Sequence, residues 1–318
     1  MVNPKLVVCT AALALLAGPA FTQSESQSNQ GHGQAVVTVL PKHDGDVLPA
    51  SVTEQDLAVK VNGKNAKVTA WAPFQSPHNG IELVLMIDNS SRSSLGRQME
   101  ELAHFISTMP PNVNIAVAYM ENGRAMLAGP LSADRALVSG ELHLPGGSMG
   151  SDASPYFCLS DLAKNWPSHD PDARREVVMV TDGVDSYQPQ FDPEDPYVLA
   201  AIGDAVRAHV VVYSLYWLSQ GRYDRNPEIA NGGQSLINEV TAATGGKSFW
   251  QGLGNPVSFE PYLDELTRRL RNQYELGFTS PLNGKPAVET LKLKLSAPGT
   301  EIDTPQQVYM TPAGASQN

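Results

Sequence analysis

Ile81-Glu82-Leu83-Val84-Leu85-Met86-Ile87-Asp88-Asn89-Ser90 is an apolar run that stops on an aspartate, with a serine two residues further on. A near-continuous apolar run of this length predicts a strand buried on both faces, as in sheets covered by helices on each side. The pattern returns at Val177-Val178-Met179-Val180-Thr181-Asp182-Gly183. Two buried strands that each end in Asp, with hydroxyls close by, bring hard oxygen ligands to the carboxyl edge of a parallel sheet. Open α/β sheets bind their ligands at that edge. Oxygen-only ligation suits Mg²⁺, Mn²⁺ or Ca²⁺ rather than zinc.

Around these two strands the chain alternates strand and helix patterns, which predicts an α/β sheet. Leu95, Met99, Leu102, Ala103 and Ile106 form one apolar stripe and predict a helix over Leu95 to Met109. Asn114 to Met120 predicts the next strand. Gly129 onward reads as loop and weak helix, and Tyr156 to Asn165 as a short helix. Val198 to His209 and Val210 to Leu215 read as helix and strand. Leu236 to Thr244 is a helix stopped by Gly245-Gly246. Ser248 to Gln251 is an edge-strand candidate. Val257 to Asn272 predicts a last helix, with Arg268, Arg269 and Arg271 at the negative end of its dipole.

The flanks read as β structure. Ala35 to Leu40 is rich in β-branched residues. Leu57 to Val61 and Ala66 to Trp71 alternate apolar with polar around Asn62-Gly63, a strong hairpin signal. Leu291 to Leu295 alternates strictly, and Gln307 to Met310 is a further strand candidate. The expected organisation is a signal segment at 1–20, a disordered Ser/Gln/Gly-rich linker at 21–34 and a β segment at 35–79. An α/β domain at 80–279 and a β segment with tail at 280–318 follow. The expected fold class is a doubly wound, mostly parallel sheet with a small flanking β module built from both ends of the chain.

The first residues carry the three parts of a secretory signal. Lys5 supplies positive charge, Leu6 to Ala17 is apolar, and Gly18-Pro19-Ala20 offers small residues for cleavage. A retained anchor is the alternative, although the apolar run is short for a bilayer. The expected location is therefore secreted or periplasmic, with no transmembrane helix in the mature chain. Cys158 is then the one cysteine left, which excludes an internal disulfide; it reads as a buried small hydrophobe rather than a reactive thiol. A net charge of −11 argues against a nucleic-acid partner, whose phosphates would be repelled.

The Asp-x-Ser at Asp88 and Ser90, followed by Val180-Thr181-Asp182-Gly183, resembles the von Willebrand factor type A (VWA) domain. The resemblance covers Gly80 to Phe278. Tyr274-Glu275-Leu276-Gly277-Phe278 after an amphipathic helix is similar to a secreted, acidobacterial-type bacterial subgroup that carries the domain between β segments. The resemblance implies a Rossmann-like fold and a metal-ion-dependent adhesion site with the pattern Asp-x-Ser-x-Ser, a Thr from a second loop and an Asp from a third. Asp88, Ser90 and Asp182 match. Ser154 stands in for the Thr, with Ser151 as the alternative, since either hydroxyl supplies an oxygen. Arg92 stands where the second serine belongs, and a guanidinium accepts no hydrogen bond and ligates no cation. Three outcomes stay open: Ser93 takes over, cation affinity falls, or the guanidinium replaces the metal between Asp88 and Asp182. Asp185 is close enough in sequence to take part. The implied function is a binding or adhesion module, not an enzyme. A cation (Mg²⁺, or Mn²⁺ or Ca²⁺) held by Asp88, Ser90, Ser154 and Asp182 would take an acidic side chain of a protein partner. Helix capping by the two aspartates alone, in a structural domain with an inactive site, is the bland alternative.

Gly146-Gly147-Ser148-Met149-Gly150 also fits Gly-x-Ser-x-Gly, the nucleophile elbow of serine hydrolases, with Asp182 and His209 following in order. The elbow needs a buried strand directly before the serine and a helix directly after it. Pro145-Gly146 and Ser151-Asp152-Ala153-Ser154-Pro155 occupy those places instead. His209 reads as a core histidine. No His-Glu-x-x-His, paired cysteines or phosphate-binding glycine loop is present.

Overall fold

The computed structural model describes residues 30–43, 52–74, 80–146, 154–170, 172–218, 226–252 and 254–313, with the backbone alone at 92–94. The export segment of the sequence reading lies outside these residues. So do Ser148, Ser151 and the side chains of Arg92 and Ser93.

Gln30–Pro41 forms β1, Leu57–Val61 β2, Lys64–Asn65 β3 and Lys67–Pro73 β4. Ile81–Asp88 is β5, and a 3-10 turn over Asn89–Leu95 leads into α1, Gly96–Thr108. Then come β6 (Val113–Glu121), β7 (Arg124–Leu127), α2 (Arg135–Gly140), α3 (Pro155–Lys164) and β8 (Arg174–Thr181). α4 (Pro196–Arg207), β9 (Val210–Tyr216), α5 (Pro227–Thr244), β10 (Ser248–Phe249) and α6 (Glu260–Arg271) follow. The chain closes with β11 (Gln273–Pro281), β12 (Ala287–Leu295), β13 (Thr300–Asp303) and β14 (Gln307–Pro312).

One sheet runs β10-β9-β8-β5-β6-β7. Its pairings are parallel except for the short β7, which folds back on β6. From β5 the chain moves to β6 on one side, then returns to place β8 on the other. The strand order therefore reverses between β5 and β8, and a crevice opens at their carboxyl ends. Alternate residues of β5 serve opposite faces, as a pleated strand requires. Leu83, Leu85 and Ile87 pack with Leu102 and Ile106 of α1 and Leu266 of α6. Val84 and Met86 pack with Leu159 of α3, Ile202 of α4 and Ile237 of α5. Burial on both faces is the reason this strand reads as one apolar run.

The second sheet is antiparallel, with the order β3-β2-β12-β14-β1-β11-β4, and β13 pairs with β1. Eight strands make it far larger than the small module expected. β11, expected at the end of the α/β segment, runs between β1 and β4. Residues 30–34, expected to be linker, belong to β1 and pair with β11 and β14. Their glycines are packing glycines: a Cβ on Gly33 would lie 2.5 Å from the Met310 sulfur and 2.6 Å from the Phe278 ring. Asn62 and Gly63 both have positive φ, 49° and 77°, as the tight hairpin turn between β2 and β3 requires. The hairpin is brief because β4 leaves it to pair with β11.

The two sheets are tied together at α6 and α5. Arg269, only 2% exposed, pairs with Glu265 at 2.9 Å and with Asp303 of β13. The Gln306 N–H donates to the Ala242 carbonyl at 3.1 Å. Arg269 therefore acts as a clamp between layers, rather than only as a complement to the helix dipole. α5 begins at Pro227, well before the expected Leu236, with Asn226 capping it through the N–H groups of Glu228 and Ile229. Gly232-Gly233 in its interior masks the helix pattern in the sequence.

Candidate functional site

β5 delivers Asp88 to the crevice and the turn after it holds the carboxylate in place. The Ser90 N–H donates to Asp88 Oδ1 at 2.8 Å. The Thr181 hydroxyl at the end of β8 donates to Asp88 Oδ2 at 2.8 Å. Each carboxylate oxygen keeps a second lone pair beyond these bonds. Ser90 is 6% exposed.

The second loop contributes Ser154, which is 2% exposed and caps α3. Its Oγ accepts from the Phe157 N–H at 3.4 Å, and Pro155 occupies the first helical position, where a missing N–H costs nothing. The third loop contributes Asp182, 2% exposed, whose Oδ1 accepts from the Val184 N–H at 3.0 Å. Gly183 makes this turn possible with φ 73°. Its carbonyl accepts from the buried Tyr156 hydroxyl at 2.7 Å, and its N–H donates to Thr181 Oγ1 at 3.1 Å. α5 presses on the same loop through Gly233, where a Cβ would lie 2.7 Å from the Asp182 carbonyl oxygen.

Asp88, Ser90, Ser154 and Asp182 all line one cavity of about 20 Å³, with Glu121 and Cys158 at its side. That volume suits a single water or a single ion. The donor set is two carboxylates and two hydroxyls, so hard divalent cations fit it and soft ones do not. Among the described residues, no cluster of three or more His, Cys, Asp or Glu side chains could hold a metal. A cation here would therefore keep several waters, which is the habit of Mg²⁺ more than of Ca²⁺. Cys158 is 1% exposed, and burial, with Asp88 nearby, pushes its thiol well above the usual range. It stays protonated, so it adds neither charge nor a thiolate ligand.

Asp185 is not part of the cavity lining. Burial raises its carboxyl, partly offset by the N–H groups of Tyr187 and Gln188 and by the Ser154 hydroxyl. Its Oδ1 accepts from the Tyr187 N–H at 2.8 Å and the Gln188 N–H at 3.4 Å, so it braces the loop that follows Asp182. Thr181 and Tyr156 are the residues the sequence reading missed. Thr181 stood beside Asp182 in the motif, but nothing in one sequence tells that its hydroxyl reaches across to β5.

His209 is not a core histidine. It is exposed, with φ 55°, at the turn between α4 and β9. It precedes β9, whereas Asp182 follows β8, and the two strands are parallel. The pair thus lies at opposite edges of the sheet, separated by a strand length of roughly 20 Å, and cannot share a catalytic proton. No helix among the described residues is long and apolar enough to cross a membrane.

No family model and no curated protein matches the chain. Several solved structures are similar to it at low identity. An aerotolerance-related membrane protein from Bacteroides fragilis NCTC 9343 is 12% identical, over 60% of this chain and 98% of that one, with a TM-score of 0.41. The pilus adhesin SpaC from Lactobacillus rhamnosus GG, in an open conformation, is 10% identical over 86% of this chain and 48% of that one, with a TM-score of 0.42. The SpRpn10 VWA domain is 10% identical over 59% of this chain and 93% of that one, with a TM-score of 0.38. These scores are low, and the fold rests on the strand order and crossovers themselves.

Proposed function

We propose that the protein is a VWA-type binding module, exported from the cell, that recognises a protein partner at the crevice between β5 and β8. In this reading Asp88, Ser90, Ser154 and Asp182 hold a divalent cation, Mg²⁺ or else Mn²⁺ or Ca²⁺. The cation supplies a Lewis-acidic position to which an acidic side chain of the partner binds. The protein's own residues do the rest. Thr181 and the Ser90 N–H fix the Asp88 carboxylate, Ser154 is held by its capping role, and Gly183 places Asp182. In this reading the α/β part is doubly wound and Rossmann-like, and the module binds without catalysing a reaction.

The observation that carries the reading is the convergence of four oxygen-bearing side chains from three separate loops on one ion-sized cavity. Helix capping alone does not explain it. Asp88 accepts from Ser90 and from Thr181 on another strand, so it is not simply a cap of α1. Calorimetric titration of the mature protein with Mg²⁺, Mn²⁺ and Ca²⁺ tests the reading. Saturable binding that disappears in Asp88→Ala and Asp182→Ala is expected. Identical heats in wild type and both variants would exclude this cavity as the site.

A further inference from the structure

Beside the cavity stands a group of aromatic side chains that the hydrophobic core does not use. Phe157 on α3, Tyr187 on the loop after β8 and Tyr197 at the start of α4 belong to none of the buried clusters. They pack on one another instead. Ring centroids are 5.5 Å apart for Phe157 and Tyr187, 4.9 Å for Phe157 and Tyr197, and 5.5 Å for Tyr187 and Tyr197. The two pairings of Tyr197 are edge-to-face, a favourable arrangement for aromatic rings. Tyr187 is 51% exposed and Tyr197 36%.

The shelf is held rigid from below. The Tyr187 N–H donates to Asp185 Oδ1, and the Tyr197 N–H to Asp195 Oδ1, each at 2.8 Å. Both aspartates are buried. The same spacing, Asp two residues before Tyr, therefore fixes the backbone that carries each ring. Large, rigid, half-exposed aromatic rings are what binding hot spots are made of, because little side-chain entropy is lost when they are covered.

The shelf is continuous with the cavity along the chain. Ser186 lines the cavity and Tyr187 follows it directly. Phe157 stands one helical turn from Ser154. Adjacent Cα atoms are about 3.8 Å apart, and one helical turn rises about 5.4 Å. An extended partner segment advances about 3.3 Å per residue. A carboxylate seated at the cavity therefore places side chains one to three positions away over the rings.

We infer that the partner segment is acidic and apolar together: a carboxylate engages the cavity while a bulky apolar side chain, one to three residues away, is buried on the Phe157–Tyr187–Tyr197 shelf. This rests on the cation-site reading above.

The test is selection of a random twelve-residue displayed peptide library on the wild-type protein in Mg²⁺ buffer, followed by titration of an enriched peptide. Enriched sequences are expected to pair Asp or Glu with a large apolar residue within three positions. Tyr187→Ser should weaken the enriched peptide about tenfold or more, while Tyr187→Phe, which keeps the ring, retains binding. Direct Mn²⁺ titration should be the same in all three proteins. An enriched acidic peptide without apolar preference, bound equally by Tyr187→Ser, would overturn the shelf and leave the cation site standing. Absence of any enrichment would also overturn it. Failure of wild type to bind Mn²⁺, or peptide binding that persists in EDTA, would instead remove the cation reading beneath it.

Discussion

The Thr181 hydroxyl donates to Asp88 Oδ2 at 2.8 Å, joining the carboxyl ends of two neighbouring parallel strands. Thr181 Oγ1 in turn accepts from the Gly183 N–H at 3.1 Å. One side chain thus fixes both the first and the third loop of the crevice.

Thr181→Val keeps the shape of this side chain and removes both hydrogen bonds. The Gly183 N–H is left without its acceptor, and Asp88 loses one of its two orienting donors. Leaving a buried donor unsatisfied costs about 1–3 kcal/mol. Chemical denaturation should show a loss of that size. Cation affinity, read by calorimetry, should fall with it. A Thr181→Val protein with wild-type stability and affinity would mean that the bond to Asp88 does not organise the site.

Gly233→Ala sets a helix gain against a steric cost. Alanine in a helix interior is favoured over glycine by up to about 1 kcal/mol. Its Cβ, however, would lie 2.7 Å from the Asp182 carbonyl oxygen and 2.8 Å from the Val184 nitrogen, both backbone atoms. Overpacking of this kind costs about 1–3 kcal/mol, so the steric term wins. The variant should melt lower than wild type, and its third loop should shift. Gly96→Ala in α1 is the control, since its Cβ meets nothing within 4 Å. A higher melting temperature for Gly233→Ala would show that α5 does not press on the loop.

The parts of this fold that were legible are those whose signal is local. β5 and β8 announced themselves as apolar runs because both faces of each strand are buried. Asp88 and Asp182 were legible because each ends such a strand. Ser154 was found through its place before Pro155 at a helix start. Signals that depend on a distant partner were hidden. Residues 30–34 look like linker because Gly31 and Gly33 are small to fit under Leu282, Met310 and Phe278, which lie far along the chain. α5 was read short because Gly232 and Gly233 answer to Phe191 and the Asp182 loop rather than to helix propensity. β7 is a short antiparallel strand of the α/β sheet that carries no run or alternation to mark it.

Glu176 gives the protein a pH-dependent term far from the crevice. It is fully buried on β8, and burial pushes its carboxyl up to about 7, against the opposing pull of Arg174 and Gln273. Arg174 Nη1 donates to the Leu270 carbonyl at 3.3 Å and to Gln273 rather than to Glu176. Tyr213 on β9 faces the same group, and its hydroxyl is raised by burial first and by the Glu176 carboxylate second. The folded value lies above the unfolded one, so the folded state binds the extra proton between them. Stability from this group is complete below about pH 4.5, falls as pH rises toward about 7, and is level above that. The total is on the order of 3 kcal/mol. Glu176→Gln removes the titration, so denaturation at about pH 8 should find the variant more stable than wild type. At about pH 4.5 the two should be similar. Parallel pH profiles for the two proteins would show that Glu176 does not titrate in this range.

Arg92→Ser tests whether the guanidinium competes with a cation in the proposed site. Arg92 lies four residues after Asp88, in the 3-10 turn that follows β5, at the position where a serine would complete the adhesion-site pattern. Arg92→Ser removes a positive charge and adds a hydroxyl oxygen. One added charge-assisted contact is worth roughly 1.5–3 kcal/mol, about tenfold to a hundredfold in affinity. Titration of wild type, Arg92→Ser and Asp88→Ala with Mg²⁺ in one buffer separates the possibilities. A gain in Arg92→Ser with loss in Asp88→Ala is the expected result, and it means that the guanidinium competes with the cation for the carboxylates. Equal affinity in wild type and Arg92→Ser, with loss in Asp88→Ala, would mean that the arginine stays clear of the site and that another hydroxyl completes it. Equal binding in all three proteins would place the cation elsewhere.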